Sequence, residues 1–481
     1  MLYYRYLTLN RVASILVSLI LLTGLFIKSA LASFNEDSLV FVASPLPGKE
    51  ENLGISPAVD TAYTNFLGRN FRLTNPVSNN NAADFEQQLL NIESAQGAFA
   101  LDLAEILHSL GMHYMANQDY ENAFASFQRE EHIHRINFGL NSDTQVSAMK
   151  GQIRALKAGG KTEEANDKYL SLIYLLEKSH ERYDPGLMPE LVAFGEWSLA
   201  SFHEKIRYEV DFHPLMAFSQ GIKTKEDVRV LAFDQLDQAS IYFARAAEIL
   251  VHNNEFADPA LYQMENRLVE AAYIQAHRRE VLADPDNYQN MVSAREEMYK
   301  SGSFARLTRD AYKYGIGSYE RQLLYIQKDE NGSLGRYVDT LLAFGDWYLL
   351  FGKFGSSKKL YQEAMDLLRS YNLKENTIIK IMQPEVPVAI PTFTATPHSL
   401  QSLEQKGEML NPYRGYIDVS FTINGNGNAR NIEVLTSTDD TPARLERRLV
   451  KTIQNTRYRP RLDLDKATAR DDVVSRYYYT W

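Results

Sequence analysis

Three short stretches of this 481-residue chain carry residues whose types and spacing could do chemistry. The first is His132-x-His134, which follows Glu130 and Glu131 and could offer imidazole and carboxylate ligands to a metal ion. On a strand the two histidines would share one face. The surrounding apolar spacing is helical, however, and on a helix residues i and i+2 point about 200° apart. We therefore expect the solvated face of a helix, with no metal and no cofactor.

The second stretch, Asn-Gly-Asn-Gly-Asn at residues 424–428, could cradle a phosphate. It lacks the Lys-Ser/Thr of a phosphate loop and lies between two runs of alternating apolar residues, so it predicts a hairpin turn. No His-Glu-x-x-His or Gly-x-Ser-x-Gly motif is present, and the chain has no cysteine. The sequence therefore offers no candidate catalytic residue and no evident small-molecule substrate.

The third stretch occurs twice. Residues 193–197 are Ala-Phe-Gly-Glu-Trp, and residues 343–347, which lie 150 positions later, are Ala-Phe-Gly-Asp-Trp. An acid beside a tryptophan, kept twice in one chain, could mark a paired active site. It could equally be one packing arrangement used twice, and the elements that carry it decide between the two.

Those elements are predicted to be paired helices. Apolar residues recur at spacings of three and four from residue 84 to 380. One stretch resembles the tetratricopeptide repeat: Leu107-x2-Leu110-Gly111-x2-Tyr114 followed by Ala123-x3-Phe127. A weaker copy lies 42 residues on, with Ile153 at the position of Gly111, and Gly195 lies another 42 residues on. A further copy contains Gly345, Tyr348 and Tyr361. Each glycine would allow close helix approach, with the aromatic of the Tyr114 position filling the gap.

The tetratricopeptide resemblance implies that the first helix of each pair lines a concave groove. A single helical pair cannot bury its apolar face alone, so pairs stack and the groove runs along the stack. The candidate partner-binding residues are then Glu105, His108, Met112, Val192, Glu196, Leu342 and Asp346. The two repeated acids become groove residues instead of catalysts.

Residues 1–32 have the pattern of a secretory leader. Arg5 and Arg11 precede an uncharged run, Val12–Ile27, and Ala30-Leu31-Ala32 offers a cleavage site before Ser33. The run is short for a membrane span, which needs roughly 20 apolar residues. We expect a cleaved leader, with an uncleaved anchor as the alternative. Export of a chain without cysteine suits the bacterial periplasm, and a net charge of −10 argues against nucleic-acid binding.

The remaining boundaries follow from composition. Residues 33–83 are rich in turn formers and are predicted to be irregular, whereas residues 381–410 form a Pro-rich linker. Residues 411–481 alternate apolar and polar positions as strands do. Ile417, Val419, Phe421 and Ile423 predict the first strand of a hairpin, and Leu445, Leu449 and Ile453 mark one face of a helix before a final strand. The expected order is β-β-α-β.

This C-terminal module resembles the C-terminal domain of the TonB family. The matching residues include Gly415, Phe421, Arg457, Tyr458 and Pro460. The resemblance implies a periplasmic domain that binds an extended segment of another protein, typically of an outer-membrane transporter, at a sheet edge. Two features depart from the family's energy transducers. Residues 1–32 contain no histidine, and the Pro-rich spacer is short.

The sequence therefore predicts a multidomain protein: an all-α, tetratricopeptide-like array followed by a small α+β, TonB-like module. Its expected function is that of a non-enzymatic, exported scaffold that binds envelope proteins. A TonB-type energy transducer with an uncleaved anchor is the alternative, and an envelope enzyme such as a glycan hydrolase is a third hypothesis. The sequence leaves the partner's identity and the oligomeric state open.

Overall fold

The computed structural model describes residues 41–44, 82–207, 225–283, 297–329, 332–382, 387–391, 415–439, 441–463, 466–468 and 470–479. The predicted leader, residues 1–32, lies outside these ranges, as do most of the irregular segment 33–83 and most of the linker 381–410. Among the helices in the described ranges, none is both long and apolar enough to span a bilayer.

The described helices form hairpins that follow one another along the chain. Helix α1 (Ala82–Gln96) precedes the first hairpin, which pairs α2 (Asp102–Ala116) with α3 (Tyr120–Phe138). The second hairpin pairs α4 (Val146–Ala158) with α5 (Thr162–Ser179). The third pairs α6 (Met188–Arg207) with α7 (Lys225–His252). The fourth pairs α8 (Pro259–Ala276) with α10 (Ser303–Lys328) across the short α9 (Arg278–Ala283). The fifth pairs α11 (Leu334–Leu350) with α12 (Phe354–Ser370), and α13 (Glu375–Met382) follows. This is a helical-repeat array.

The glycines of the repeat allow close helix approach, as predicted. A Cβ atom at Gly195 would lie 2.6 Å from the ring of Phe243, and one at Gly345 would lie 2.5 Å from the ring of Tyr361. Both rings belong to the second helix of the same hairpin. The expectation that the residue at the Tyr114 position fills this gap was wrong, because Tyr114 is only half-buried whereas the second-helix ring occupies the space.

Trp347 stands where the common repeat has a small residue, and the structure accommodates it from the opposite side. The side chain is fully buried, and its indole N–H donates to the carbonyl oxygen of Tyr312 at 3.2 Å. Gly315 of α10 faces it, and a Cβ atom there would lie 2.2 Å from the indole ring. The small residue that this helix contact needs is therefore supplied by α10 instead of α11.

The C-terminal module contains a four-stranded antiparallel sheet, in the order β1 (Phe41–Ser44), β8 (Arg470–Tyr479), β3 (Gly415–Ile423) and β4 (Ala429–Ser437). Helix α14 (Ala443–Asn455) lies between β4 and β8 along the chain. The short strands β5 (Arg457–Tyr458), β6 (Arg461–Asp463) and β7 (Lys466–Thr468) lie between α14 and β8. Leu445, Leu449 and Ile453 of α14 are buried against β3, which confirms the predicted helical face. The β-β-α-β order is present, with the extra short strands.

Two segments outside the predicted module join it. Strand β1 (Phe41–Ser44), from the segment expected to be irregular, pairs antiparallel with Arg476–Tyr479 of β8. Strand β2 (Ala389–Ile390), from the predicted linker, pairs with β5, and the backbone N–H of Arg459 donates to the carbonyl oxygen of Val388 at 2.9 Å. This part of the linker is therefore held against the module by backbone hydrogen bonds.

Replacing Gly345 by alanine tests the close approach of the fifth hairpin. The added methyl group overlaps the ring of Tyr361, so we expect Gly345→Ala to lower the free energy of unfolding by about 1–3 kcal/mol. Gly355→Ala, in the partner helix of the same hairpin, is the matched control because nothing lies within 4 Å of its new Cβ. Its stability should be unchanged or slightly higher. Equal urea midpoints for the two variants would contradict the packing described.

Candidate interaction surfaces

The segment Arg457-Tyr458-Arg459-Pro460 contacts both the module and the helical array. Arg457 Nη1 donates to the carbonyl oxygen of Asn426 at 2.8 Å, within the β3–β4 turn. The ring of Tyr458 packs in the module core, with its centroid 5.4 Å from that of Phe421. Arg459 points the other way, towards helix α11.

Arg459 forms a two-pronged ion pair with Asp346 of the fifth hairpin. Its Nε lies 2.9 Å from Oδ1 and its Nη2 lies 2.5 Å from Oδ2. The hydroxyl of Tyr361 donates to the same carboxylate at 2.6 Å. Only 11% of the arginine side chain and 5% of the aspartate side chain are exposed. We call this contact between the array and the module the joint.

Electrostatics at the joint favour the charged pair. Burial alone would lower the pKa of Arg459, but the Asp346 carboxylate and its hydrogen bonds raise it above its usual range. Burial raises the pKa of the nearby Asp339, and the charge of Arg459 partly offsets that rise. Burial, together with the Asp346 charge, raises the pKa of Tyr361 well above its usual value. Arg459 therefore stays protonated, and Tyr361 stays a neutral hydrogen-bond donor.

The β3–β4 turn also contacts the array, and this packing explains Gly427 without a phosphate. Gly427 has φ +78°, a left-handed conformation that favours glycine. A Cβ atom there would lie 2.2 Å from the carbonyl oxygen of Tyr458 and 3.2 Å from Leu349 of α11. The side chain of Asn424 accepts from the backbone N–H groups of Asn426 and Asn428, each at 3.0 Å. The turn is a tightly packed part of the joint.

The residues that carry the TonB resemblance are mostly internal to the module. Gly415 begins β3, whereas Phe421, Arg457, Tyr458 and Pro460 are all buried. In this chain they position the turn and the segment that bears Arg459. The binding of a partner strand by this module stays a prediction.

The seven candidate groove residues divide into two groups. In the third and fifth hairpins, Val192 and Leu342 are buried in the hydrophobic core, at 4% and 3% exposure, so they do not line an open groove. Each packs among the side chains of its own and neighbouring helices, a burial that the repeat pattern alone did not predict. Glu196 accepts from Arg267 Nε at 2.8 Å, and Asp346 is held by Arg459.

The two repeated acids thus have the same kind of partner. Arg267 belongs to α8, the first helix of the next hairpin, and it also binds Glu270 at 2.8 Å. Arg459 belongs to the C-terminal module. In each case the carboxylate binds an arginine that comes from the next part of the chain packed against that side of the helix stack. The C-terminal module therefore supplies the arginine that binds Asp346, just as the next repeat supplies the arginine that binds Glu196.

The other three candidates remain accessible in the first hairpin. Glu105 is exposed, and Met112 is half-buried beside Phe127. The side chain of His108 is 33% exposed, with its Nδ1 atom 3.0 Å from a carboxylate oxygen of the buried Glu130. These residues, together with Lys150 and Arg154 of the second hairpin, form what we call the N-terminal face.

Sequence reasoning missed Lys150 and Arg154, although a signal was present. The spacing of 42 residues places them at the positions of His108 and Met112. Lys150 is exposed and Arg154 is half-buried, so both contribute to the same face. The partner of Arg459 had no such signal, because Asp346 lies 113 residues away in the chain.

The histidine pair of the opening motif lies on helix α3. His132 stacks edge-on against Phe99, and His134 stacks against Phe138. Across the part of the chain that the structure describes, no group of three or more potential ligands is arranged to hold a metal ion.

Comparisons with known proteins give only loose structural overlaps, with helical-repeat proteins. No family model and no curated protein matches it. The TPR-like repeats of a kinesin light chain-type protein from Podosopora anserina superpose with a TM-score of 0.32 at 9% identity, covering 57% of this chain and 99% of that one. BtubC (BKLC) from P. vanneervenii gives a TM-score of 0.31 at 10% identity, covering 61% and 91%. Structural similarity this low carries no argument about function. The description of a helical array rests on the hairpins that the structure shows.

Removing one side of the joint should destabilise the fifth hairpin and the module together. Arg459→Met leaves the Asp346 carboxylate buried without a counter-charge, which we expect to cost about 3–5 kcal/mol in urea unfolding followed by circular dichroism. Adding Asp346→Asn removes that charge and should recover part of the loss, since the amide still accepts from Tyr361.

Arg447→Met is the matched control for this series, because Arg447 is an exposed arginine of the same module. We expect its midpoint to match that of the wild type within error. A double variant that is less stable than Arg459→Met, or a single variant as stable as the control, would show that the ion pair does not hold the joint.

Proposed function

We propose that this chain is a non-enzymatic scaffold of the bacterial cell envelope that binds segments of other proteins on its N-terminal face. One observation carries the proposal. Glu105, His108 and Met112 of the first hairpin stay accessible. On the third and fifth hairpins the equivalent positions are buried or bind an arginine from another element. Towards the C-terminal end of the stack, these side chains are used for contacts within the chain. At the N-terminal end the equivalent side chains stay accessible, so this end is suited to binding a partner.

The chemistry of the open end fits a peptide segment better than a flat protein surface. Met112 offers apolar contact, while Glu105, His108 and Lys150 offer polar contact at helical spacing along α2 and α4. An extended or helical segment lying across these two helices would meet both kinds of side chain. The fixed module at the other end would keep that surface at a constant distance from the C-terminal sheet.

The location in the envelope is proposed from the sequence. The leader pattern of residues 1–32 and the TonB resemblance of residues 411–481 both favour export to the periplasm, with envelope proteins such as outer-membrane transporters as partners. A native protein whose first residue is Ser33, determined by mass spectrometry, is the expected result. An intact N-terminus would favour instead an anchored, TonB-type energy transducer.

Site-specific photocrosslinking tests the N-terminal face directly. A benzophenone amino acid at Met112 should give a discrete crosslinked product in living cells, because that position lies on the proposed binding surface. The same amino acid at Glu363, an exposed position of α12, is the control and should give none. Products of equal yield from both positions, or none from Met112, would contradict the proposed binding surface.

A further inference from the structure

One residue of the N-terminal face has unusual surroundings. Arg154 follows Ile153, so it occupies the position that Glu196 and Asp346 occupy after the repeat glycines. Those two acids each bind an arginine that comes from another element. Arg154 carries the opposite charge at the equivalent position, and its Nε is buried without a hydrogen-bond partner among the described residues. The second hairpin thus presents the cationic half of a pair that the third and fifth hairpins complete internally.

The charges around Arg154 leave it incompletely neutralised. Burial lowers the pKa of its guanidinium, and the Glu130 carboxylate offsets this only in part. Glu130 already lies within hydrogen-bond distance of His108 Nδ1, and the next carboxylate along this side, Glu190, is held by Lys150 Nζ at 2.5 Å. A partly buried guanidinium is most favourable when a carboxylate binds it through two hydrogen bonds.

Helix α4 extends the positive charge along the same face. Lys150, Arg154 and Lys157 are spaced at i, i+4 and i+7, so their side chains lie on one side of the helix. Lys157 Nζ lies 4.6 Å from the ring centroid of Trp197, in the first helix of the third hairpin. The indole N–H of Trp197 has no acceptor among the described residues. This side of α4 therefore carries three cations, of which Lys150 is paired with Glu190 and Lys157 lies over the Trp197 ring.

We propose that the α4 side of the N-terminal face binds an acidic segment of a partner protein, with a carboxylate of that segment paired to Arg154. The inference rests on the proposed function and specifies its partner chemistry. The partner carboxylate would neutralise Arg154, as Arg267 neutralises Glu196 and Arg459 neutralises Asp346. Lys150 and Lys157 would attract further acidic side chains along the segment.

The probe is a short fluorescein-labelled peptide of alternating Glu and Ala residues, compared with the same peptide carrying Gln for Glu. With the full chain, fluorescence anisotropy should show Arg154→Met weakening the Glu peptide by roughly tenfold or more, the effect of losing a charged hydrogen-bonded pair. Arg306→Met removes the same charge from an arginine that is 82% exposed on α10 and should leave affinity nearly unchanged. Equal losses for both variants, or no loss for Arg154→Met, would overturn the proposal.

Two further measurements separate binding from folding. The chain has three tryptophans, so the indole N–H signal of Trp197 can be assigned with Trp197→Phe and followed by NMR. It should shift as the Glu peptide is added, while that of the buried Trp347 stays in place. Arg154→Met should melt at or above the wild-type temperature, because a desolvated charge that Glu130 neutralises only in part is removed. A clearly lower melting temperature, or equal shifts of both indoles, would assign Arg154 a structural role.

The outcome is independent of the wider scaffold proposal. If the Met112 photocrosslink forms but Arg154→Met binds the Glu peptide as well as the wild type does, the acidic specificity is wrong and the scaffold stands. If no crosslink forms from Met112, the binding surface itself is wrong.

Discussion

The buried ion pair between Arg459 and Asp346 is the contact on which the architecture depends. Either charge alone would be costly at this depth, so the two parts of the chain are most stable when the pair is formed. The features of the repeated Ala-Phe-Gly-acid-Trp stretch meet at this contact. Gly345 lets the ring of Tyr361 approach, and the Tyr361 hydroxyl donates to Asp346. A motif that could have been a duplicated active site instead fixes the position of a neighbouring element, in both of its copies.

The same constraint explains why the two ends of the array differ. Where an arginine arrives from within the chain, as at Glu196 and Asp346, the repeat face is satisfied and closed. Where the equivalent residue is Met112 or Arg154, no such partner is present among the described residues, and the face stays accessible. One repeated position thus serves cohesion in some hairpins and, we propose, recognition in others. The identity of a single side chain decides which.

Much of the fold was predictable because it follows from local patterns. The spacing of three and four residues predicted the helices, the alternation after residue 411 predicted the hairpin, and the repeat glycines predicted close helix approach. The predictions that failed concerned residues whose surroundings depend on contacts between distant segments. The burial of Val192 and Leu342 arises from the way helices pack around them, and the space for Trp347 comes from Gly315 on another helix. No local pattern encodes the 113-residue separation of Arg459 and Asp346.

We expect the joint to hold the module against the fifth hairpin as one body. The chain has no cysteine, so spin labels can be placed at will through Lys358→Cys on α12 and Arg447→Cys on α14, both exposed positions. Pulsed electron–electron double resonance then measures the distance between the array and the module directly. We expect a single narrow distance distribution for the doubly labelled chain. A broad distribution, typical of a module moving on a flexible tether, would contradict it.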